Sequence, residues 1–131
     1  MANTTNTVAI VDDDESARRS LGRMVHGFGF QSRAFASADE FIVTADRETF
    51  SCLLLDLQLE GMSGLELVRE LARRRSRVPI IVITAHSEPE LRQQLLQQGC
   101  KAFFHKTDPG AMIIAALRRI TDSNNGQGPV P

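Results

Sequence analysis

Five strand-like runs, each followed by an amphipathic helical pattern, predict an α/β fold: a doubly wound five-stranded parallel sheet of (βα)5 form with strand order 2-1-3-4-5. Three observations carry that expectation. Val8-Ala9-Ile10-Val11, Cys52-Leu53-Leu54-Leu55 and Ile80-Ile81-Val82-Ile83 are apolar at every position, as strands buried on both faces should be. Residues 30–35 are mixed in polarity and residues 102–105 form a short run, which places those two strands at the edges. Each of the three central runs stops at a polar residue, Asp12, Asp56 and Thr84 respectively. The expected order is that of flavodoxin-like folds, in which ligands bind beyond the strand ends where the order reverses.

Taken in order, the first strand enters Asp12-Asp13-Asp14-Glu15, and Ala17, Leu21, Met24, Val25 and Phe28 then share one helical face that ends at Gly27 and Gly29. After the second strand, Ser37 and Glu40 form a capping box before a short helix that turns Phe41, Ile42 and Ala45 inward. Glycines in the stretch Leu57-Gln58-Leu59-Glu60-Gly61-Met62-Ser63-Gly64 allow backbone angles closed to other residues. Ser63 and Glu66 cap the third helix, whose apolar stripe is Leu67, Val68, Leu71 and Ala72. Ser87 and Glu90 are expected to cap the fourth, with Leu91, Leu95 and Leu96 inward and Gly99 at its end. Asp108, with Pro109 at the first helical position, is expected to open the last helix, which buries Met112, Ile113, Ala116, Leu117 and Ile120.

With 131 residues the chain suits one domain, expected over residues 7–121 between a flexible start (1–6) and a flexible tail or linker stub (122–131). Its composition, 42% hydrophobic and 24% charged, is that of a globular protein, and no apolar run approaches membrane-spanning length. The first seven residues lack the basic and hydrophobic parts of an export signal, so a cytoplasmic location is expected. A net charge of −1 does not favour nucleic acid. Cys52 and Cys100 form no metal-ligand spacing and read as reduced, structural thiols. The run Arg73-Arg74-Arg75 with Arg77 reads as a solvated helix end, and Lys101 and Lys106 are the two lysines.

Alone, a strand-ending aspartate such as Asp56 reads as a turn residue or helix cap. Asp14 has the position of such a cap. The predicted sheet changes the reading of Asp56, because it brings Asp12, Asp13 and Asp56 to one crevice. Three carboxylates repel unless a cation joins them, and oxygen ligands with space for a phosphate suit magnesium. Thr84 adds a hydroxyl and Lys106 a positive charge on the far side. A metal, an ammonium and a hydroxyl around a phosphoryl group stabilise the charge that develops in its transfer, with Asp56 as nucleophile.

Val11-Asp12-Asp13, Leu55-Asp56, Gly61-Met62-Ser63-Gly64, Ile83-Thr84-Ala85 and Phe103-Phe104-His105-Lys106 resemble the receiver (CheY-like) domain of two-component response regulators across residues 7–121. The segments Ser37-Ala38-Asp39-Glu40-Phe41 and Gly61-Met62-Ser63-Gly64-Leu65-Glu66-Leu67 resemble those of nitrogen-fixation-type regulators. The resemblance implies that Asp56 accepts a phosphoryl group from a histidine of a sensor kinase or phosphotransfer protein. It implies Mg2+ held by Asp13, Asp56 and the backbone carbonyl of Gln58, with Asp12 acting through water. Thr84 and Lys106 would contact the phosphoryl oxygens, and Thr84 would draw Phe103 from an exposed to a buried rotamer, reshaping a partner surface. The downstream partner is unidentified, and a homodimer formed on phosphorylation is allowed. Such a domain catalyses only its own phosphorylation and dephosphorylation.

The chain departs from the family pattern at several places. Thr107 follows Lys106 where proline is usual, which would make the expected cis peptide costly. Glu60 stands where proline is common, and Phe103 where tyrosine is, so a switch there rests on packing. Gln58 and His86, two residues beyond Asp56 and Thr84, are candidates for tuning the lifetime of the phosphorylated state. His26 and His105 read as surface or rim groups.

Rivals come from other classes. A haloacid-dehalogenase-like phosphatase shares the aspartyl nucleophile, but needs an acidic pair after the lysine and a longer chain. A flavin carrier needs a phosphate loop rich in Ser, Thr and Gly where this chain has three aspartates. A receiver-like module acting by contact without phosphorylation is the third.

Overall fold

The computed structural model describes residues 6–45, 47–85 and 88–125. The elements alternate as β1 Thr7–Val11, α1 Glu15–Gly27, β2 Gln31–Phe35, α2 Ala38–Ala45, β3 Cys52–Leu55, α3 Gly64–Arg73, β4 Ile80–Thr84, α4 Pro89–Gln97, β5 Ala102–His105 and α5 Gly110–Asn125. All strands are parallel and run in the order β2-β1-β3-β4-β5, as the polarity of the strands predicts. Successive side chains of a strand point to opposite faces. Ala9, Val11, Leu53, Leu55 and Val82 therefore pack on one side with Phe41, Leu67, Leu71 and Leu95, while Val8, Ile10, Cys52, Leu54 and Ile81 pack on the other with Val25, Ile113 and Leu117. The first layer is α2, α3 and α4; the second is α1 and α5.

Register positions the functional end. Val11 lies opposite Leu55, and Leu55 opposite Val82, so Asp12 and Asp56 each follow a matched pair at the same height of the sheet. Beyond the strands the ladder continues: the Asp12 N–H donates to the Phe35 carbonyl (3.2 Å) and the Asp56 N–H to the Val11 carbonyl (3.0 Å).

Helix ends follow the expected chemistry in most places. Asp14 caps α1, accepting the amides of Ser16 and Ala17, and Ser63 with Glu66 forms a reciprocal capping box at α3. The Ser37 hydroxyl accepts the Glu40 N–H at α2. Helices α1, α3 and α4 end in the same two-bond Schellman closure: the amides of Phe30, Ser76 and Cys100 reach the carbonyls of Val25, Leu71 and Leu95. Glycine supplies the left-handed residue in two of them, Gly29 and Gly99, whereas Arg75 does so in α3 with φ +59°. An arginine in that role gives no sequence signal. Arg73 and Arg74 pair with Glu70 on the exposed helix end.

The helices are rotated relative to several expectations. In α5, Ile114 is buried and Met112 is half exposed (50%). In α4 only Leu95 is fully inside, and Leu96 is turned outward. Phe28 and Ala72 are exposed. Packing against a twisted sheet settles each rotation, and an apolar stripe wider than the contact leaves residues such as Phe28 and Leu96 at its margin. Helix α4 begins at Pro89 with Glu88 at its N-cap, so Glu90 falls one place too early for the expected box; Ser87 lies outside the described residues. Helix α5 begins at Gly110, because the Asp108 carboxylate turns back to the His105 N–H (2.8 Å) instead of capping it, and it continues to Asn125, past the expected edge at 121. Of the ends expected to be flexible, 1–6 and 122–131, residues 1–5 and 126–131 lie outside the described residues, whereas 122–125 belong to α5. Among the described residues no helix is long and apolar enough to cross a membrane.

Candidate functional site

The C-terminal edge of the sheet gathers the charged residues. Asp12 and Asp56 are almost completely buried, while Asp13 is exposed, and their carboxylates offer three ligand atoms within 4.8 Å of one another. Lys106, at the end of β5, reaches across β4 and places its Nζ 2.9 Å from Asp56 Oδ2 and 3.1 Å from Asp12 Oδ2. A single ammonium thus bridges two buried acids.

The remaining carboxylate oxygens are held by main-chain amides. Asp12 Oδ1 accepts the Asp14 N–H (2.9 Å), and Asp56 Oδ1 accepts the Gln58 N–H (3.1 Å). From α1, Arg18 donates to the Asp12 carbonyl (2.8 Å) and pins the acidic loop from behind. Burial pushes the Asp12 carboxyl above its ordinary range, more than the Asp14 amide and Lys106 offset, and the nearby charge of Asp56 adds to the rise. Burial acts to lower the Lys106 pKa, but hydrogen bonds and charge from Asp56 and Asp12 outweigh it, so the ammonium is held above its usual value.

Thr84 is wholly buried at the end of β4, and its carbonyl accepts the Lys106 N–H (2.9 Å). Gln58 lies just beyond Asp56 with an exposed side chain. Phe103 is already buried (7% exposed), with the Arg92 guanidinium 6.0 Å from its ring centre. That differs from the exposed starting rotamer expected of it, because the ring packs into the core beside Val82. His86 lies outside the described residues.

Two features of the site were missed in the sequence. Gly64 matters for space: a Cβ there would sit 2.6 Å from Leu57 Cα and 2.7 Å from the Asp56 carbonyl oxygen. Only glycine lets α3 start this close to the end of β3. His105, taken as a rim group, folds back onto Thr107, with 2.7 Å between His105 Nδ1 and Thr107 Oγ1. A histidine, a hydroxyl two residues on and Asp108 three residues on are a turn-forming pattern that could have been noticed. No peptide bond among the described residues is cis, so the Lys106–Thr107 bond is trans.

Acids grouped at the switch point of a parallel sheet offer oxygen ligands of the kind a hard cation takes, with an ammonium beside them. Known proteins resemble this chain in sequence and in fold. The model of the response regulator receiver domain matches residues 8–118. Nodulation protein W of Bradyrhizobium diazoefficiens is 38% identical over 121 residues, covering 92% of this chain and 53% of that protein. Transcriptional regulatory protein FixJ of Rhizobium meliloti is 34% identical over 116 residues, covering 88% of this chain and 57% of that protein. The chain therefore spans about half the length of these curated relatives. The crystal structure of FixJ-N is similar with a TM-score of 0.82 and 34% identity, covering 93% of this chain and 96% of that one. The chain belongs to the receiver domain family of two-component response regulators.

Proposed function

We propose that Asp56 is the phosphoacceptor of a phosphorelay, taking a phosphoryl group from the phosphohistidine of a sensor kinase or phosphotransfer protein. The observation that carries this reading is the Lys106 ammonium seated between Asp56 and Asp12 with the Asp13 carboxylate beside them. In the transfer an Asp56 carboxylate oxygen forms the new bond to phosphorus, and the N–P bond breaks with its electron pair passing to the donor imidazole.

Three carboxylates offer oxygen donors only, which fits magnesium better than a softer metal. Asp13, Asp56 and the Gln58 carbonyl would hold it, with Asp12 acting through water. Bound there, magnesium supplies positive charge to the phosphoryl oxygens. Lys106 gives up its contact with Asp56 Oδ2 to meet a phosphoryl oxygen, and the Thr84 hydroxyl meets another. The Gln58 amide keeps the acceptor carboxylate oriented through Oδ1.

The transfer becomes a signal because Thr84 and Phe103 lie on neighbouring strands under α4. With Phe103 already inward, the change at the surface falls on α4 and the Arg92 contact rather than on an incoming ring. A partner that recognises this face reads the phosphorylated state; Gln58 and His86 would tune its lifetime. The charge of the chain and its lack of a described spanning helix direct the search to protein partners.

The test is incubation with magnesium and acetyl phosphate, read by intact mass beside Asp56→Asn. One added phosphoryl group, absent in the variant and on magnesium removal, is expected. Magnesium binding without any phosphoryl gain from either acetyl phosphate or a phosphorylated histidine donor would favour a receiver that acts by contact alone.

A further inference from the structure

The turn that carries Lys106 uses all four of its backbone amides, two of them on side chains. The Lys106 N–H donates to the Thr84 carbonyl (2.9 Å) and the Asp108 N–H to the His105 carbonyl (2.9 Å). The His105 N–H donates to Asp108 Oδ2 (2.8 Å), and the Thr107 N–H donates to His105 Nδ1 (3.1 Å). An amide can only donate, so Nδ1 is the acceptor and the neutral ring carries its proton on Nε2. The same Nδ1 is 2.7 Å from Thr107 Oγ1. The imidazole thus closes over the peptide bond that follows Lys106, with the amide and the hydroxyl of Thr107 both on Nδ1.

This closure bears on aim. A lysine has a long flexible stem, and its ammonium must meet two carboxylates that lie two and three strands away in the sheet. A small rotation of the main chain at residues 106 and 107 would swing Nζ away from Asp56. We propose that His105 and Thr107 are positioning residues: a side-chain clamp that fixes the backbone after Lys106 and so directs its ammonium at Asp56 and Asp12. The clamp rests on the proposed role of Lys106 at the phosphoacceptor, but its geometry can be tested without phosphorylation.

Two readouts separate these points. The first uses the two lysines of the chain as a pair: brief competitive acetylation, followed by peptide mass analysis, compares Lys106 with the exposed Lys101. His105→Phe keeps a ring but removes the acceptor, and it raises Lys106 labelling relative to Lys101. His105→Asn, whose Oδ1 can accept the Thr107 N–H, leaves the ratio near that of the native chain. The second readout is the rate of phosphoryl uptake from acetyl phosphate with magnesium. His105→Phe slows it on the order of tenfold, as loss of alignment does, while His105→Asn restores it. In a Lys106→Met background the further change His105→Phe has no added effect, because the clamp acts through the lysine.

An unchanged labelling ratio in a folded His105→Phe protein would overturn the clamp, as would a rate loss that persists undiminished without Lys106. Should His105→Phe fail to fold, Thr107→Val, which keeps the amide and removes the hydroxyl, is expected to raise the labelling ratio to a smaller extent; no change in it would also overturn the clamp. A native chain that takes up no phosphoryl group, yet shows the labelling response, would defeat the proposed function and leave the clamp standing.

Discussion

The two ends of the same sheet solve opposite problems. At the C-terminal end Asp12, Asp56 and Thr84 are buried, and Lys106 together with the amides of Asp14 and Gln58 satisfies the acids. At the N-terminal end the loops before β3 and β4 border a cavity of about 290 Å³ with Phe41, Ala45, Phe50, Val78 and Pro79 in its wall. Its buried Ser51 hydroxyl has no partner among the described residues, and charge stays at the surface in pairs such as Arg33–Glu48. One end is held by matched polarity and the other by packing. A burial that would be costly at the apolar end is tolerated at the polar end because the partners are already in place.

The largest expected effect comes from forcing a charge into the packed end. Cys52 is fully buried at the start of β3, and burial pushes its thiol from 9.0 to about 12. The folded chain therefore keeps a proton that the unfolded chain loses above pH 9. This contribution to stability is intact below pH 9 and is lost as pH rises toward 12, by up to about 4 kcal/mol at about 1.4 kcal/mol per unit. Denaturant melts from pH 8 to 11 should show a steeper decline for the native chain than for Cys52→Ala. Equal slopes would mean that the thiol ionises without penalty.

Gly64→Ala tests the polar end through its backbone. The new methyl would lie under 3 Å from Leu57 Cα and the Asp56 carbonyl oxygen, so α3 or the acidic loop must move. A loss of about 1–3 kcal/mol is expected, together with slower phosphoryl uptake, measured by denaturant titration and intact mass. A stable variant with native uptake would show that this approach is not required.

Ser51→Ala gives the smallest effect, and in the other direction. Removing an unpartnered buried hydroxyl at the apolar end should leave stability unchanged or raise it by less than about 1 kcal/mol. A loss of more than that in a thermal melt would reveal a bond to Ser51 through solvent.

Much of this arrangement was legible in the residues. Strands apolar throughout are central and mixed or short ones are edges, which matches the doubly wound order 2-1-3-4-5. Asp12, Asp13, Asp56 and Lys106 were legible as a group because they stand at strand ends, which a parallel sheet brings to one side. Less legible were the helix faces: Met112 and Leu96 fit an apolar stripe yet are turned outward. The left-handed Arg75 and the backward-facing Asp108 carboxylate were hidden for a related reason, since each side chain serves its local turn rather than the role its residue type suggests.

The sequence by itself determined the order of elements, the central and edge strands and the set of charged residues at one end, because those follow from periodicity and from the positions of residues along each strand. The tertiary structure decided how that set is satisfied: Lys106 shared by two buried acids, Gly64 chosen for space, Phe103 already inward, and His105 closed over Thr107. The physical reason is range. Strand and helix patterns are written in neighbours a few residues apart, whereas the partner of a buried charge is fixed only when distant strands meet.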